Sequence, residues 1–176
     1  MKTRRAENCD TAAIQVLLAD AFPEGEGDAV ARLAADLLQE ETASETLSVV
    51  AESDGSIVGY IAFSPVAIAG NDEFRGYILA PLGVRAASQK SGIGRRLIEE
   101  GLRRLSNMGV NVVFVYGDPD YYGRFGFSAD TADGYNAPYP LQYPFGWQAL
   151  VLDEPNRVEP PVTIKCVEPL SDPGLW

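Results

Sequence analysis

Residues 77–116 contain three patterns in a fixed order, and that order limits the fold more than any other feature of the chain. Residues typical of β-strands run from Tyr77 to Val84, a turn with two glycines follows, and apolar residues then recur at helical spacing from Ile93 to Met108. Gly109 ends this helix, and a largely apolar run continues from Val110 to Tyr116. A strand, a crossover helix and a strand form a right-handed unit, so we predict that the two strands are parallel neighbours in one sheet.

The turn before the helix reads Gln89-Lys90-Ser91-Gly92-Ile93-Gly94. Gly92 and Gly94 have no Cβ, so the backbone can approach a ligand closely there. The first N–H groups of a helix have no intrahelical partner and carry the positive end of the helix dipole. We therefore predict a phosphate cradle at the carboxyl end of the parallel strands, where α/β proteins bind ligands. Such a short string also fits an ordinary strand-to-helix turn, and neither the P-loop nor the dinucleotide-binding fingerprint is present.

Composition and charge exclude several classes of function. At 176 residues, the chain is expected to form one domain over residues 1–176 with a core of its own. The net charge of −11 argues against nucleic-acid binding, which needs a basic surface. The chain contains no histidine, which excludes histidine-based nucleophilic catalysis and zinc sites built on imidazole. We find no export signal and no apolar run near the ~18 residues of a membrane span, so we expect a cytoplasmic protein without membrane contact.

The segments before this unit predict a helix pair followed by an antiparallel meander. A first helix runs to Phe22 with Asp10 or Thr11 as its cap, and a second helix starts at the cap Asp28 and reaches Leu38. The pair either forms a lid or covers one face of the sheet. The remaining predicted elements are strands Leu47–Glu52, Ile57–Ile68 and Gly76–Val84, a short helix Pro119–Phe125, and a last strand pair of Gln148–Leu152 with Val162–Val167.

Two segments of the chain resemble a known family. The stretch from Leu82 to Leu97, which contains the glycines, looks like the acetyl-CoA-binding signature of GNAT-type N-acetyltransferases. Downstream, Tyr121-Tyr122-Gly123-Arg124-Phe125-Gly126-Phe127 resembles the F-Y-x-x-x-G-F segment of that family. With Gly117-Asp118-Pro119 in front, the second segment is similar to a bacterial subfamily that reads GDPxYYxRFGF. The resemblance covers about residues 3–152 and leaves 153–176 as a C-terminal strand and tail.

The resemblance implies a fold and a ligand. The fold is mixed α/β (α+β), with a mostly antiparallel central sheet, a parallel pair at the acetyl-CoA site and helices on both faces. The ligand is acetyl-CoA, a cosubstrate whose pyrophosphate would bind the amides from Lys90 to Arg95. The family's strand at this place splays from the next one, so its free amides hold the pantetheine arm and the acetyl carbonyl. The implied cofactor-binding residues are Leu82, Val84, Gln89, Lys90, Ser91, Gly92, Ile93, Gly94, Arg95 and Arg96, the basic ones either contacting phosphate or lying on a solvated helix face.

The implied reaction is direct attack of a neutral amine on a thioester, which needs an acid and a base. Tyr122 aligns with the tyrosine of the family segment, so we expect it to protonate the leaving thiolate, unless it only packs against the cofactor. An alkylammonium has a pKa of ~10.4 in water, so a base must remove a proton near pH 7. Glu52, Glu73 and Asp118 are the candidate bases, directly or through water, and each also fits a surface carboxylate. The scheme uses no metal.

We interpret the chain as an acetyl-CoA-dependent N-acetyltransferase that acetylates a primary amine of a small molecule or a protein. The alternative from another class is a non-catalytic CoA-binding module with a regulatory or partner-binding role, and a nucleotide-binding domain is a third hypothesis. The acidic composition and the aromatic residues between Tyr135 and Trp147 fit a cationic or aromatic acceptor, or else a small satellite core. The sequence does not name the acceptor or the oligomeric state, for which a homodimer is one option.

Overall fold

The computed structural model describes residues 1–39, 45–155 and 158–176. Within these ranges no helix combines the length with the apolar character needed to span a bilayer. The described residues form eight strands and five α-helices, joined in part by short 3₁₀ turns. In chain order they are β1 (Lys2–Arg5), α1 (Thr11–Ala21), α2 (Gly27–Gln39), β2 (Leu47–Ser53), β3 (Ser56–Ile68), β4 (Asn71–Val84), α3 (Ile93–Asn107), β5 (Val112–Tyr116), α4 (Pro119–Tyr122), α5 (Ala129–Ala132), β6 (Tyr135–Asn136), β7 (Trp147–Val151) and β8 (Val162–Cys166).

The strands belong to an eight-stranded sheet with the order β1-β2-β3-β4-β5-β7, in which β8 pairs with β3 and the short β6 pairs with β8. β1, β2 and β3 are antiparallel neighbours, and so are β5 and β7. β4 and β5 are parallel, in a register that runs from Gly76 opposite Val112 to Leu79 opposite Val115. The predicted mixed fold, with a mostly antiparallel sheet and a parallel pair around the glycine turn, is confirmed.

The chain divides into two compact units. The first contains Met1–Phe63 and Ala80–Arg103, and the second contains Ser64–Leu79 and Arg104–Trp176. The expectation of a single domain over the whole chain stays a prediction.

In the first unit, helices pack closely on strands because glycines leave room for them. A Cβ on Gly59 of β3 would lie only 2.7 Å from Ile93 and 2.9 Å from Leu97, both on α3. A Cβ on Gly83 of β4 would collide with Leu18 of α1. Ile93 is the first residue of α3 and is buried, so the start of this helix is anchored against β3. That contact positions the turn that precedes α3.

In the second unit, aromatic rings cover β5. Phe114 of β5 stacks on Trp147 of β7 with ring centroids 5.3 Å apart, and it meets Tyr135 of β6 edge-on at 5.1 Å. The predicted pairing of residues 148–152 with 162–167 is wrong. β7 pairs with β5 from Trp147 to Val151, whereas β8 pairs with β3 and β6.

Three local features at the N-terminal side differ from what the sequence indicated. Residues 2–5 form β1, a strand that the sequence did not indicate because it is short and mostly basic. α2 begins at Gly27, so Asp28 lies in its first turn instead of capping it. Asp10 occupies the cap position of α1 but makes no cap hydrogen bond, since its carboxylate binds Arg4 at 2.7 Å and accepts the Glu7 amide at 2.8 Å. The hydrogen bonds from Arg4 hold the pKa of the Asp10 carboxyl below its usual value.

Candidate active site

The glycine turn, defined as residues 89–94, joins a short 3₁₀ turn after β4 to the first residues of α3. Lys90 and Gly92 both adopt left-handed backbone conformations, with φ of 60° and 83°. No atom would lie within 4 Å of a Cβ on Gly92, so glycine is favoured there for its backbone conformation and not for lack of space. Left-handed residues in a turn are typical of backbone concavities that bind anions.

Consecutive amide groups at this turn have no acceptor. Within the described ranges, the six N–H groups from Lys90 to Arg95 make no hydrogen bond. The first bond of the helix ladder runs from the Arg96 amide to the Gly92 carbonyl at 3.1 Å. The backbone of the predicted phosphate cradle is therefore ordered with its donors unpaired, which is the arrangement that an anion can use.

Two side chains of the turn form hydrogen bonds to nearby backbone carbonyls. Ser91 Oγ donates a hydrogen bond to the Ser88 carbonyl, and Gln89 Nε2 donates to the Val84 carbonyl at 3.1 Å. Arg95 is engaged by Glu99, with Nε and Oε1 2.7 Å apart on the exposed helix face. These contacts hold the shape of the turn and leave its amides unpaired.

Two further backbone donors lie at the end of β4, which continues to Val84 beyond its last recorded pair with β5 at Leu79. The Arg85 amide donates to the Val58 carbonyl of β3 at 2.9 Å. Since successive N–H groups of a strand point in opposite directions, the amides of Leu82 and Val84 point away from β3. These are the two residues that the resemblance assigns to the pantetheine arm and the acetyl carbonyl.

Tyr122 is the last residue of α4, a short helix in the second unit. Asp118 caps this helix, since its Oδ1 accepts the Asp120 amide at 2.9 Å, and Pro119 occupies the first helical position. The Tyr122 ring lies against Gly117, where a Cβ would be only 2.5 Å from its Cε2 atom. The glycine of the Gly117-Asp118-Pro119 segment is therefore needed to seat the tyrosine.

The environment of Tyr122 keeps its phenol protonated. Burial raises the pKa of this phenol above its ordinary value of 10.0, and Tyr121 and Asp118 raise it further. The rings of Tyr121 and Phe127 pack edge-on against it, with centroids 5.1 and 6.0 Å away. No hydrogen bond to another described residue engages its hydroxyl. The group is therefore protonated at neutral pH and free to donate, as a general acid must be.

The three candidate bases have different surroundings. Glu52 on β2 is held by Arg4, whose Nε and Nη2 lie 2.8 and 2.7 Å from its Oε1. Glu73 on β4 is exposed to solvent. Asp118 is also exposed and uses one oxygen as the cap of α4. Of the residues predicted for acid and base chemistry, the structure brings Asp118 and Tyr122 together on one helix.

A pocket of about 560 Å³ opens beside Asp118 in the second unit. Four aromatic residues line it together with Asp118 and Gly117, and we refer to it as the aromatic pocket; the four are Tyr116, Tyr143, Phe145 and Trp176. Among the residues that the structure describes, no lysine or arginine lines this pocket.

Two of the pocket residues were missed by sequence reasoning. Tyr143 and Phe145 belong to the aromatic segment that was considered for an acceptor, but Tyr116 was assigned only to a strand and Trp176 only to the C-terminal tail. In the structure the Trp176 ring stacks on Tyr116 with centroids 6.3 Å apart, and the Tyr116 hydroxyl accepts the Tyr143 amide at 2.9 Å. A tryptophan at the end of a short tail was the available signal that the tail packs against other residues.

Comparisons with known proteins find related chains. The model of the Acetyltransferase (GNAT) family matches residues 11–127. The uncharacterized N-acetyltransferase YjhQ of Escherichia coli (strain K12) is 43% identical over 113 residues, which are 63% of this chain and 62% of that protein. The matched part therefore spans less than two thirds of this relative.

Two solved structures cover nearly the whole chain. The GNAT family N-acetyltransferase YhbS from Escherichia coli, in complex with CoA, superposes with a TM-score of 0.83 at 32% identity over 97% of this chain and 92% of that one. A GNAT family acetyltransferase from Brucella melitensis, in complex with acetyl-CoA, superposes with a TM-score of 0.76 at 30% identity over 97% of both chains.

Proposed function

The chain belongs to the GNAT acetyltransferase family, and on that basis we propose that it is an acetyl-CoA-dependent N-acetyltransferase acting on a primary amine of a small molecule or a protein. The observation that carries the proposal is the row of six unpaired amides, Lys90–Arg95, at the start of α3. Backbone donors at a helix N-terminus bind phosphate groups. The structures of two relatives contain CoA and acetyl-CoA, which supports the same function for this chain. The cytoplasmic location and the homodimer stay predictions.

In the first unit, the backbone supplies the binding groups. The amides of Lys90–Arg95 hold the pyrophosphate, and the exposed side chains of Lys90 and Arg96 add positive charge on an otherwise acidic protein. The amides of Leu82 and Val84 bind the pantetheine arm and the acetyl carbonyl. Because these donors are already oriented, they stabilise the negative charge that develops on the carbonyl oxygen during attack.

In the second unit, Tyr122 supplies the acid. The amine nitrogen bonds to the acetyl carbon while the carbon–sulfur bond breaks and its electron pair goes to sulfur. An ammonium acceptor loses two protons in the whole reaction. One ends on the sulfur through the Tyr122 hydroxyl, and the other leaves through a base to solvent.

Placement favours Asp118 as that base. Its backbone carbonyl accepts the Tyr122 amide at 3.0 Å, so acid and base are fixed on one short helix. Its side chain lines the aromatic pocket. Glu52 is held by Arg4 and does not line the aromatic pocket. Glu73 is not part of the pocket lining.

The test of the proposed function is release of free thiol from acetyl-CoA in the presence of a panel of primary amines and lysine-containing peptides. We expect acceptor-dependent thiol release and an acetylated product that is heavier by one acetyl group. The absence of release with every acceptor, together with tight binding of CoA, would instead establish the non-catalytic CoA-binding module.

Calorimetry with CoA, ATP and NAD is the companion measurement, and tighter binding of either nucleotide would overturn the assignment of the glycine turn.

A further inference from the structure

The aromatic pocket is preformed by hydrogen bonds beneath it. The Gly117 amide donates to the Gly146 carbonyl at 2.9 Å. The buried Gln148 side chain donates from Nε2 to the carbonyls of Gly117 and Gly146 at 3.2 and 3.3 Å. A Cβ on Gly146 would lie 3.0 Å from the Gly117 carbonyl oxygen and 3.1 Å from the Tyr116 ring, so the chain packs tightly at this point. A ligand would therefore enter a pocket whose floor is already ordered.

The walls of the pocket are aromatic and their rings support one another. Trp176 stacks on Tyr116 with an interplanar angle of 14°, and its indole N–H donates to the Leu170 carbonyl at 3.1 Å. Tyr143 and Phe145 form a second pair with centroids 5.8 Å apart. These last two rings are 53% and 65% exposed, so their faces are available to a ligand.

The charge of the pocket has one sign. Asp118 is the ionisable acid in the lining, and its Oδ2 atom makes no hydrogen bond to another described residue. Within the described part of the chain, the lining contains no basic side chain to neutralise it. Aromatic faces attract cations and a carboxylate strengthens that attraction, while an anion would find no donor with a positive charge.

The pocket adjoins the predicted general acid through Gly117. This residue lines the pocket, and the Tyr122 ring lies directly against its Cα position. Asp118 also connects the pocket with Tyr122, because it lines the pocket and its charge contributes to the raised pKa of the Tyr122 phenol. A ligand in the pocket therefore lies next to the residue that would protonate the leaving sulfur.

From these observations we propose that the aromatic pocket is the acceptor site and that the acceptor is a small organic cation, an amine that enters as its ammonium ion. This inference rests on the proposed acetyltransferase function and adds the substrate class to it. The ammonium group lies between the Asp118 carboxylate and the aromatic rings until it loses a proton. The volume of about 560 Å³ is within the range of roughly 300–1,000 Å³ that small-molecule sites occupy.

The first experiment measures binding without turnover. Choline and 3,3-dimethylbutan-1-ol have nearly the same shape and differ in one positive charge, so they isolate the charge preference of the pocket. Each is titrated into the CoA-bound protein while tryptophan fluorescence is followed. Trp176 lines the pocket, and the ring centroid of Trp147 lies 6.0 Å from that of Trp176. We expect choline to bind about tenfold more tightly than the alcohol.

Two matched variants locate the binding. Asp118→Asn keeps an oxygen for the helix cap but removes the charge, and we expect choline affinity to fall about fivefold. Asp120→Asn removes the same charge from the same helix outside the pocket lining, and we expect choline affinity to stay at the wild-type value. Equal binding of choline and the alcohol, or equal effects of the two variants, would overturn the pocket assignment.

The second experiment connects the pocket to the reaction. Choline should inhibit thiol release competitively with respect to the best amine of the panel and non-competitively with respect to acetyl-CoA. Turnover of amines that choline does not inhibit would overturn the acceptor site and leave the acetyltransferase function intact. If choline binds as expected but no acceptor is acetylated, both the acceptor site and the acetyltransferase function are overturned. A lysine-containing peptide acetylated faster than every free amine would overturn the small-molecule acceptor alone.

Discussion

The glycine turn carries unpaired backbone N–H groups, whereas the aromatic pocket is lined mainly by side chains. The donors of the turn belong to consecutive residues, Lys90–Arg95, and need only the local backbone conformation to point outward. The pocket takes its rings from positions as distant in the sequence as Tyr116 and Trp176. A site made of neighbouring amides leaves a compact signature in the sequence, and a site assembled from separate segments does not.

The difference also predicts how each site responds to substitution. A backbone site tolerates a change of side chain as long as the dihedral angles survive, so it is most sensitive where a left-handed residue is required. A site made of side chains is most sensitive to exchange of its contact residues. The two sites should therefore be disturbed by opposite kinds of mutation.

The largest effect is expected for Tyr122→Phe, which removes one hydroxyl next to the aromatic pocket. Loss of a general acid should lower kcat about 100-fold. The affinity for acetyl-CoA, measured by calorimetry, should stay within twofold because the ring and its packing on Gly117 are kept. Tyr121→Phe is the matched control on the neighbouring ring and should leave kcat unchanged. A kcat of Tyr122→Phe within a factor of two of the wild type would refute the role of the phenol.

The next effect is expected for Gly92→Ala in the backbone site. An alanine at a φ of 83° is strained, so the turn should shift and the affinity for acetyl-CoA should fall about tenfold. Gly55→Ala is the control, because Gly55 has a φ of 76° and also has no atom within 4 Å of a Cβ. Both variants should lose about 1–2 kcal/mol in the free energy of unfolding, measured with urea. Only Gly92→Ala should lose ligand affinity, and an equal loss in both variants would mean that strain at the turn is unrelated to binding.

A smaller effect is expected for Phe145→Ala, which tests the pocket without disturbing the fold. Removal of one exposed aromatic face should raise KM for the amine acceptor about threefold and leave kcat unchanged. Val16→Ala on α1 is the control, since Val16 is 67% exposed and Phe145 is 65% exposed. If Phe145→Ala and Val16→Ala have the same KM for the amine, the pocket does not bind the acceptor.

The smallest effect is expected in the pH profile. A tyrosine whose pKa is raised by burial keeps its proton to higher pH than free tyrosine, and it stops acting as a donor only when the pH passes its own pKa. Because that pKa lies above 10, kcat should not fall by more than about twofold between pH 7 and 10. A descending limb within this range, measured by thiol release under saturating substrates, would contradict the assignment of Tyr122 as the acid.

The parallel strand unit and the glycine turn were predictable because the information is local. Glycine spacing, an amphipathic helix and two apolar strands occur in one segment, and their handedness follows a general rule. The membership in the GNAT family is confirmed, and it was read from the same segment together with the motif around Tyr122. The narrower subfamily and the roles of the site residues stay predictions.

Predictions failed where a residue had a choice of partners. Asp10 has the chemistry of a helix cap, but Arg4 of β1 offers its carboxylate a charged partner at 2.7 Å. The last two strands were paired with each other because they are neighbours in sequence, although β5 and β3 provide their actual edges. Which of several possible partners a residue or strand contacts depends on the segments that the fold brings together. A local sequence pattern does not contain that information.

The sequence by itself predicted the glycine turn at a strand-to-helix junction, because the spacing of its glycines is a local pattern. Only the tertiary structure decided the aromatic pocket. It places Trp176 on Tyr116 and brings the rings of the segment around Tyr143 beside Asp118. Side-chain sites depend on long-range packing, in which many alternative contacts have similar energies until the whole core selects one set.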